Sequence, residues 1–268
     1  MGHIAPLKKE TLPTLSPEIR AGLIGIRFAE GTWWKGIDPK AGYRIMFGGS
    51  PFDNTKGHPN KVVCKGPYCS AAAGAYQFMP GTWESVGGGP MTPERQDWGA
   101  TRLWLAREGL SQDQHGANQL TRMLRVNKGI SPNMAHKMAP EWASFPTIAG
   151  VSYYGQPVKP LSEINRAYHT TLPGYQEEER VFKVEQVRRE QVSKASQARL
   201  NDKKNLPIGT MAILGGKKKY WAGETYAWQT KGSFNSLVKK NSFDENPLTR
   251  TAKNLTGQYN ESLLIGNK

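Results

Sequence analysis

Three hydroxyl-proline pairs, Ser16-Pro17, Thr92-Pro93 and Ser131-Pro132, mark where helices can start in this chain. A Ser or Thr side chain can cap the free N–H groups of a first turn, and proline at the first helical position loses nothing by lacking an N–H. Behind the first pair, Ile19, Leu23 and Ile26 recur at steps of four and three, the stripe of an amphipathic helix. Gly31 is placed to end it. The second pair opens a helix through about residue 109, and a third helical stretch covers about 117–127. The third pair opens a fourth helix, and 162–171 reads as a fifth. Residues 31–90 are rich in Gly, Pro, Asn and aromatics and read as loops and short strands, with one short helix near 78–86. The expectation for 16–172 is an α+β domain, mostly α, with a loop-rich insertion after its first helix. A Pro-punctuated arm at 1–15 precedes it.

The composition changes after Pro173-Gly174. Residues 173–205 are almost all charged or polar, with Val181, Val184 and Val187 as a thin apolar stripe. Acids crowd the start and bases the end, which suits the helix dipole. A helix this polar buries little by itself and reads as an exposed spacer or an interface helix. Residues 206–268 read as a small β element, with a turn signal at Gly215-Gly216, followed by an extended C-terminal arm.

The charge narrows the partners without naming one. Lys and Arg number 36 against 22 Asp and Glu, for a formal net charge of +14, which favours polyanions such as nucleic acid or an anionic cell wall. The excess is not a tail. Residues 1–172 hold 19 basic and 12 acidic groups and 173–268 hold 17 and 10, the same surplus in each part. Nonspecific contact with DNA is therefore admitted, but no nucleic-acid motif accompanies it. No apolar run reaches the roughly 18 residues of a membrane span, and the N-terminus lacks the apolar region of a signal peptide. Cys64 and Cys69 are read as two loop thiols, with a short-loop disulfide as the alternative. Zinc would need two more ligands at suitable spacing. The five histidines have no metal-ligand spacing, and phosphate-loop and nucleophile motifs are lacking, so neither a metal nor another cofactor is expected.

Glu30 is the residue that can carry chemistry. It lies four residues after Ile26 and seven after Leu23, so it continues the apolar stripe of the first helix. Desolvation there raises a carboxyl pKa, and the negative end of the helix dipole acts in the same direction. A carboxylic acid kept protonated near neutral pH is what protonates a glycosidic leaving oxygen. The alternative is a helix-terminal Glu turned to solvent. Downstream, aromatics alternate with Gly and amide groups over about fifty residues, matching the apolar faces and hydroxyl edges of sugars. Trp98, Trp104 and Trp142, on later helices, read as core.

Ala29-Glu30-Gly31-Thr32 resembles the catalytic motif of the phage lambda endolysin family of lysozyme-like lytic transglycosylases. Further along, Gly42-Tyr43, Gly48-Gly49, Phe52 and His58-Pro59 follow in that family's order, as do Ser70, Gly74 and Tyr76-Gln77. Pro93 and Gln96-Asp97 fit a later helix start. Trp142-Ala143-Ser144-Phe145-Pro146 and Tyr154-Gly155-Gln156 resemble its closing motif. The resemblance covers about 20–170. It implies a lysozyme-like fold and cleavage of the β-1,4 bond between N-acetylmuramic acid and N-acetylglucosamine in peptidoglycan. Glu30 takes the acid/base role, and the muramic 6-hydroxyl attacks to leave a 1,6-anhydro end. Thr32, Tyr43, Tyr76, Gln77, Phe78, Tyr154 and Gln156 are the candidate contacts to glycan strands, with packing beneath the cleft as the alternative for the aromatic and amide positions. Asp53 is a weak helper candidate, Glu84 reads as surface, and His58 as a loop anchor. Two positions depart from the family pattern: Arg44 and Gly57 stand where acids are common.

The 95 or so residues beyond this domain exceed what a simple endolysin needs. The expectation is a virion-associated enzyme, docked to other virion proteins through 173–268, that opens the host wall during genome entry from a tail or internal core. The alternatives are a late-lysis endolysin held in the host cytoplasm, and a structural virion protein whose lysozyme-like domain is inactive.

Overall fold

The computed structural model describes residues 12, 14–201, 211–214, 217–221, 228–233 and 235. The chain divides into two compact units, Met1–Arg180 and Val181–Lys268. The expected arms at 1–15 and 241–268 fall largely or wholly outside the described residues.

In the first unit, α1 (Pro17–Ala29) starts as its sequence requires. The Ser16 hydroxyl accepts from the Ile19 N–H at 3.2 Å, and Pro17 sits in the first turn. The stripe Ile19, Leu23 and Ile26 is buried, but so are Ala21 and Ile24. The helix is therefore enclosed on nearly every side. Glycine makes this possible at Gly22, where a Cβ would lie 2.6 Å from the Trp104 ring. Helices α3 (Pro93–Glu108), α4 (Gln114–Asn127) and α5 (Pro132–Met138) complete the bundle. Asp113 caps α4 by accepting from the Gly116 N–H, and Ser131 caps α5 by accepting from the Met134 N–H. Trp98, Trp104 and Trp142 are core residues, as the sequence reading has it.

The insertion between α1 and α3 holds two 3-10 turns, Ala41–Arg44 and Phe47–Gly49, and a short helix α2 (Pro80–Ser85). It also holds a hairpin of β1 (Val63–Lys65) and β2 (Tyr68–Ser70). Cys64 pairs with Cys69 across this hairpin and the two form a disulfide. That corrects the loop-thiol reading. Directly opposed residues of an antiparallel pair bring their Cβ atoms within bonding reach of two sulfurs, a juxtaposition that linear spacing alone does not reveal.

Helix α6 (Leu161–Asn201) starts at the expected fifth helix but runs on through Pro173. Proline in a helix interior removes one hydrogen bond and costs about 3 kcal/mol. Packing on both sides of the proline offsets this. Ile164 and Tyr168 are fully buried before it, and Leu172 and Tyr175 pack against the core around it. The Arg20 guanidinium lies 3.9 Å from the Tyr175 ring centroid and 2.8 Å from the Glu178 carboxylate. The compact unit thus reaches Arg180, eight residues past the composition change at 172.

In the second unit, β3 (Met211–Leu214), β4 (Lys217–Trp221) and β5 (Trp228–Gln229) form an antiparallel sheet in that order. Leu214 pairs with Lys217, on either side of the Gly-Gly turn signal. Trp221 pairs with Trp228 and is buried, while Lys217 and Lys218 are exposed.

Candidate active site

The end of α1 places Glu30. It is the residue after the last helical position, and its N–H still bonds to the Ile26 carbonyl at 2.9 Å. Gly31 then takes φ +70, the left-handed region open to glycine. The turn sends the Thr32 and Trp33 N–H groups back to the Arg27 carbonyl, at 2.8 and 3.2 Å. Thr32 is buried, and its hydroxyl donates to the Ala75 carbonyl at 2.5 Å. The helix end is thereby pinned to the Tyr76 loop.

The Glu30 carboxyl is half-buried. Its Oε1 accepts a hydrogen bond from the Ser144 hydroxyl, and the Ser144 backbone N–H also faces it. Burial pushes the Glu30 pKa up to about 7, and the two Ser144 donors oppose that rise without cancelling it. Among the described residues, Glu30 shares no hydrogen bond or ion pair with a second acid.

A buried polar and aromatic cluster ties the loops that follow α1 to α3. The Tyr43 and Tyr76 hydroxyls both donate to Asp97 Oδ1 at 2.6 Å. Burial raises the Asp97 pKa, against the pull of those two hydrogen bonds and of the Arg27 charge. It also raises both tyrosines. The Arg27 guanidinium sits 4.4 Å from the Tyr43 ring centroid and donates to the Pro39 carbonyl at 2.8 Å. Phe78 packs edge-on to Tyr76 and tilts against Trp83. Gln96, fully buried, accepts from the Ala75 N–H at 2.8 Å and donates to the Tyr43 and Met91 carbonyls, at 3.0 and 2.5 Å. One amide therefore fixes three segments.

The candidate site residues divide accordingly. Thr32, Tyr43, Tyr76 and Phe78 are buried, which is the packing arrangement and not an open sugar platform. Their rings and hydroxyls are consumed by one another, by Asp97 and by backbone. Gln77 is half-buried at φ +48, and its amide donates to the Gly74 carbonyl at 2.9 Å. Tyr154 and Gln156 are exposed. Tyr154 stacks edge-on with Tyr153 and donates to the Pro140 carbonyl at 2.8 Å. His58 is the loop anchor expected of it, bonded to the Phe78 carbonyl at 2.8 Å and accepting from the Asn60 N–H. Glu84 is exposed. Asp53 is exposed and accepts from the Thr55 N–H and hydroxyl, which hold its carboxyl below the usual range. Sequence reasoning gave no role to Ser144, which bonds to Glu30, or to Asp97, which accepts from both tyrosines. Both lay inside the motifs named above, but a sequence separation of 114 concealed the contact of Ser144 with Glu30.

Residues 20–174 match the family model Endolysin. The chain belongs to the endolysin family. As an endolysin-family protein it is a phage enzyme that degrades peptidoglycan. Among solved structures it is similar to bacteriophage lambda lysozyme complexed with a chitohexasaccharide, at 22% identity over 59% of this chain and 96% of that one, with a TM-score of 0.47. No curated protein matches it by sequence. Among the described residues of this endolysin-family chain, no helix is long and apolar enough to cross a membrane.

Proposed function

We propose that this chain is a lytic transglycosylase that cleaves the N-acetylmuramic acid–N-acetylglucosamine β-1,4 bond with Glu30 as acid and then base. The observation that carries the reading is the Glu30 carboxyl, half-buried at the end of α1 with its pKa near 7 and, among the described residues, no acid partnered with it. In its protonated form Glu30 gives its proton to the glycosidic oxygen as the bond from the muramic C1 breaks. The carboxylate left behind takes the proton of the muramic 6-hydroxyl while that oxygen bonds to C1. A 1,6-anhydro end results, and Glu30 returns to its starting form.

The engagement of other acids of the domain supports a one-carboxyl mechanism. Asp97 is tied to two tyrosines, Asp53 to Thr55, Glu141 to Arg107 and Glu108 to Lys137. Gln77, Tyr154 and Gln156, which reach solvent, are the side chains offered to the glycan. Thr32, Tyr43, Tyr76 and Phe78 are buried and support the loop that carries Gln77.

Mass analysis of products from purified peptidoglycan tests this. The expected result is anhydro-muramyl ends from the wild type, with Glu30→Gln slower by about 10²–10⁴-fold and melting at nearly the same temperature. Water-added reducing ends would make the enzyme a hydrolase, and undiminished Glu30→Gln activity would remove Glu30 from the chemistry. Because the acid form starts the reaction, the rate should be full below pH 7 and fall as the pH rises through about 7.

For its setting, we propose association with the virion through the residues beyond the family match, opening the wall during genome entry. The support is the extra length, from 175 to 268, beyond the matched 20–174. The family match itself favours the second setting, release from the host cytoplasm at late lysis. Immunodetection in purified, nuclease-treated particles separates the two, since a lysis enzyme is absent from them.

A further inference from the structure

The closing motif brings one hydroxyl to the Glu30 carboxyl. Ser144 lies between two core anchors, Trp142 and Phe145, both buried. The Trp142 indole donates to the Tyr76 carbonyl at 3.3 Å, and the Lys159 N–H donates to the Ser144 carbonyl at 3.0 Å. Past Phe145, Pro146 bridges to Ser152. The backbone of Ser144 is thus held on both sides and through its own carbonyl. A hydroxyl so fixed loses little rotamer entropy when it bonds. It bonds to Oε1 of Glu30, and the Ser144 N–H faces the same carboxyl.

We propose that Ser144 is a positioning residue for Glu30: its hydroxyl occupies Oε1, so that the transferable proton resides on Oε2 in one fixed orientation. This rests on the reading of Glu30 as the acid. A protonated carboxyl has one donor and one acceptor oxygen. An oxygen already receiving the Ser144 proton is the acceptor, which leaves Oε2 to carry the hydrogen. When that hydrogen leaves for the glycosidic oxygen, the Ser144 bond becomes a charge-assisted one. Ser144 therefore stabilises the carboxylate as it forms, an interaction stronger after transfer than before, and this kind of difference accelerates a step.

The charged neighbours do not offer the same service. Arg27, on the same helix, turns to Pro39 and the Tyr43 ring. The Lys159 ammonium lies 5.7 Å from the Phe28 ring centroid, Asp38 accepts from the Lys40 N–H, and Asp97 is tied to its tyrosines.

The test uses the full chain with Ser144→Ala, Ser144→Gly and Ser144→Thr. Glu30 is titrated by carboxyl ¹³C NMR, and the maximal rate and KM on purified peptidoglycan are followed against pH. Losing a donor to the charged form moves the midpoint up. In the Ala and Gly variants, Glu30 should titrate about one pH unit higher, and the alkaline limb of the rate should follow it. The maximal rate below that limb should fall roughly tenfold from lost orientation. KM should hold, because Ser144 does not touch substrate, and threonine should restore both midpoint and rate. A Glu30 midpoint unmoved in both deletions would overturn the inference. A fall in rate that appears only as a rise in KM would also overturn it, by making Ser144 a substrate contact. The NMR titration needs no turnover, so an active Glu30→Gln overturns the acid reading and with it the kinetic half of this proposal, whereas an unmoved midpoint overturns Ser144 alone.

Discussion

Helix α1 and residues 181–195 of α6 are both regular α-helix, and almost nothing else about them is alike. In α1 two of the three charged residues are enclosed: Glu18 and Arg27 are each less than 5% exposed. In 181–195, Val181, Phe182, Val184, Val187 and Val192 are all more than half exposed. One helix is held by tertiary packing. The other is supported along its surface by Glu185 with Arg188 and Arg189, pairs of a few tenths of a kcal/mol each. The contrast shows why the carboxyl that can do chemistry lies at the end of α1. Only a helix whose neighbours are fixed can hold a carboxyl partly out of water at a set place. An exposed helix leaves its charges in water and its apolar side chains open to other surfaces.

If packing carries α1, the largest loss of stability should come from the ring that fills its glycine notch. Trp104→Ala removes a fully buried indole from against Gly22. We expect a loss of about 3–5 kcal/mol and a melting temperature lower by roughly 10 °C, seen by calorimetry. A loss under about 1 kcal/mol would mean that the bundle repacks and that α1 is not held as described.

A smaller effect should follow at the other end of α1. Glu18 is buried, and Arg125 reaches it with two hydrogen bonds of 2.7 and 3.1 Å. Burial works to raise the Glu18 pKa, but Arg125, together with hydrogen bonds from the Glu18 N–H and the Ser16 hydroxyl, outweighs it and holds the carboxyl below its usual value. A depressed folded pKa contributes stability above the unfolded value near 4.3 and loses it as the pH falls through the folded value. Arg125→Ala should therefore cost about 2 kcal/mol at pH 7, less than for a fully buried pair because Arg125 itself is half exposed. The difference from wild type should close as the pH drops below about 4. A cost independent of pH would locate the contribution of Arg125 in its packing.

The same contrast explains what could be read from the sequence. The α1 start at Ser16-Pro17, its end at Glu30-Gly31 and the starts of α3 and α5 follow from local chemistry, and local chemistry is what a sequence displays. The continuity of α6 through Pro173 was not legible, because it depends on Tyr175 meeting Arg20 from 155 residues away. The Cys64–Cys69 bond depends on strand register. The division among the candidate contacts depends on Asp97, which draws the Tyr43 and Tyr76 hydroxyls inward. An aromatic beside glycines looks the same in sequence whether its ring faces a sugar or a buried carboxylate. Glu30 was legible because spacing placed it on the stripe, but its Ser144 partner was a tertiary contact.

The smallest expected effect bears on the comparison most directly. Val187 and Phe182 are more than half exposed on α6, so replacing each with Ser removes little area that folding takes out of water. Each should change stability by less than about 0.5 kcal/mol, and the activity of the isolated protein on purified peptidoglycan should not change. If the second unit docks into a virion, however, those same side chains are available to be buried there. Burying a Val or Phe stabilises a contact by about 1.5–3 kcal/mol, so the double variant should retain its melting temperature and wall activity but be depleted from particles by tenfold or more. Normal incorporation would show that docking does not use these side chains. A large loss of melting temperature would break the contrast itself, because it would mean that this stretch of α6 is held by packing, as α1 is.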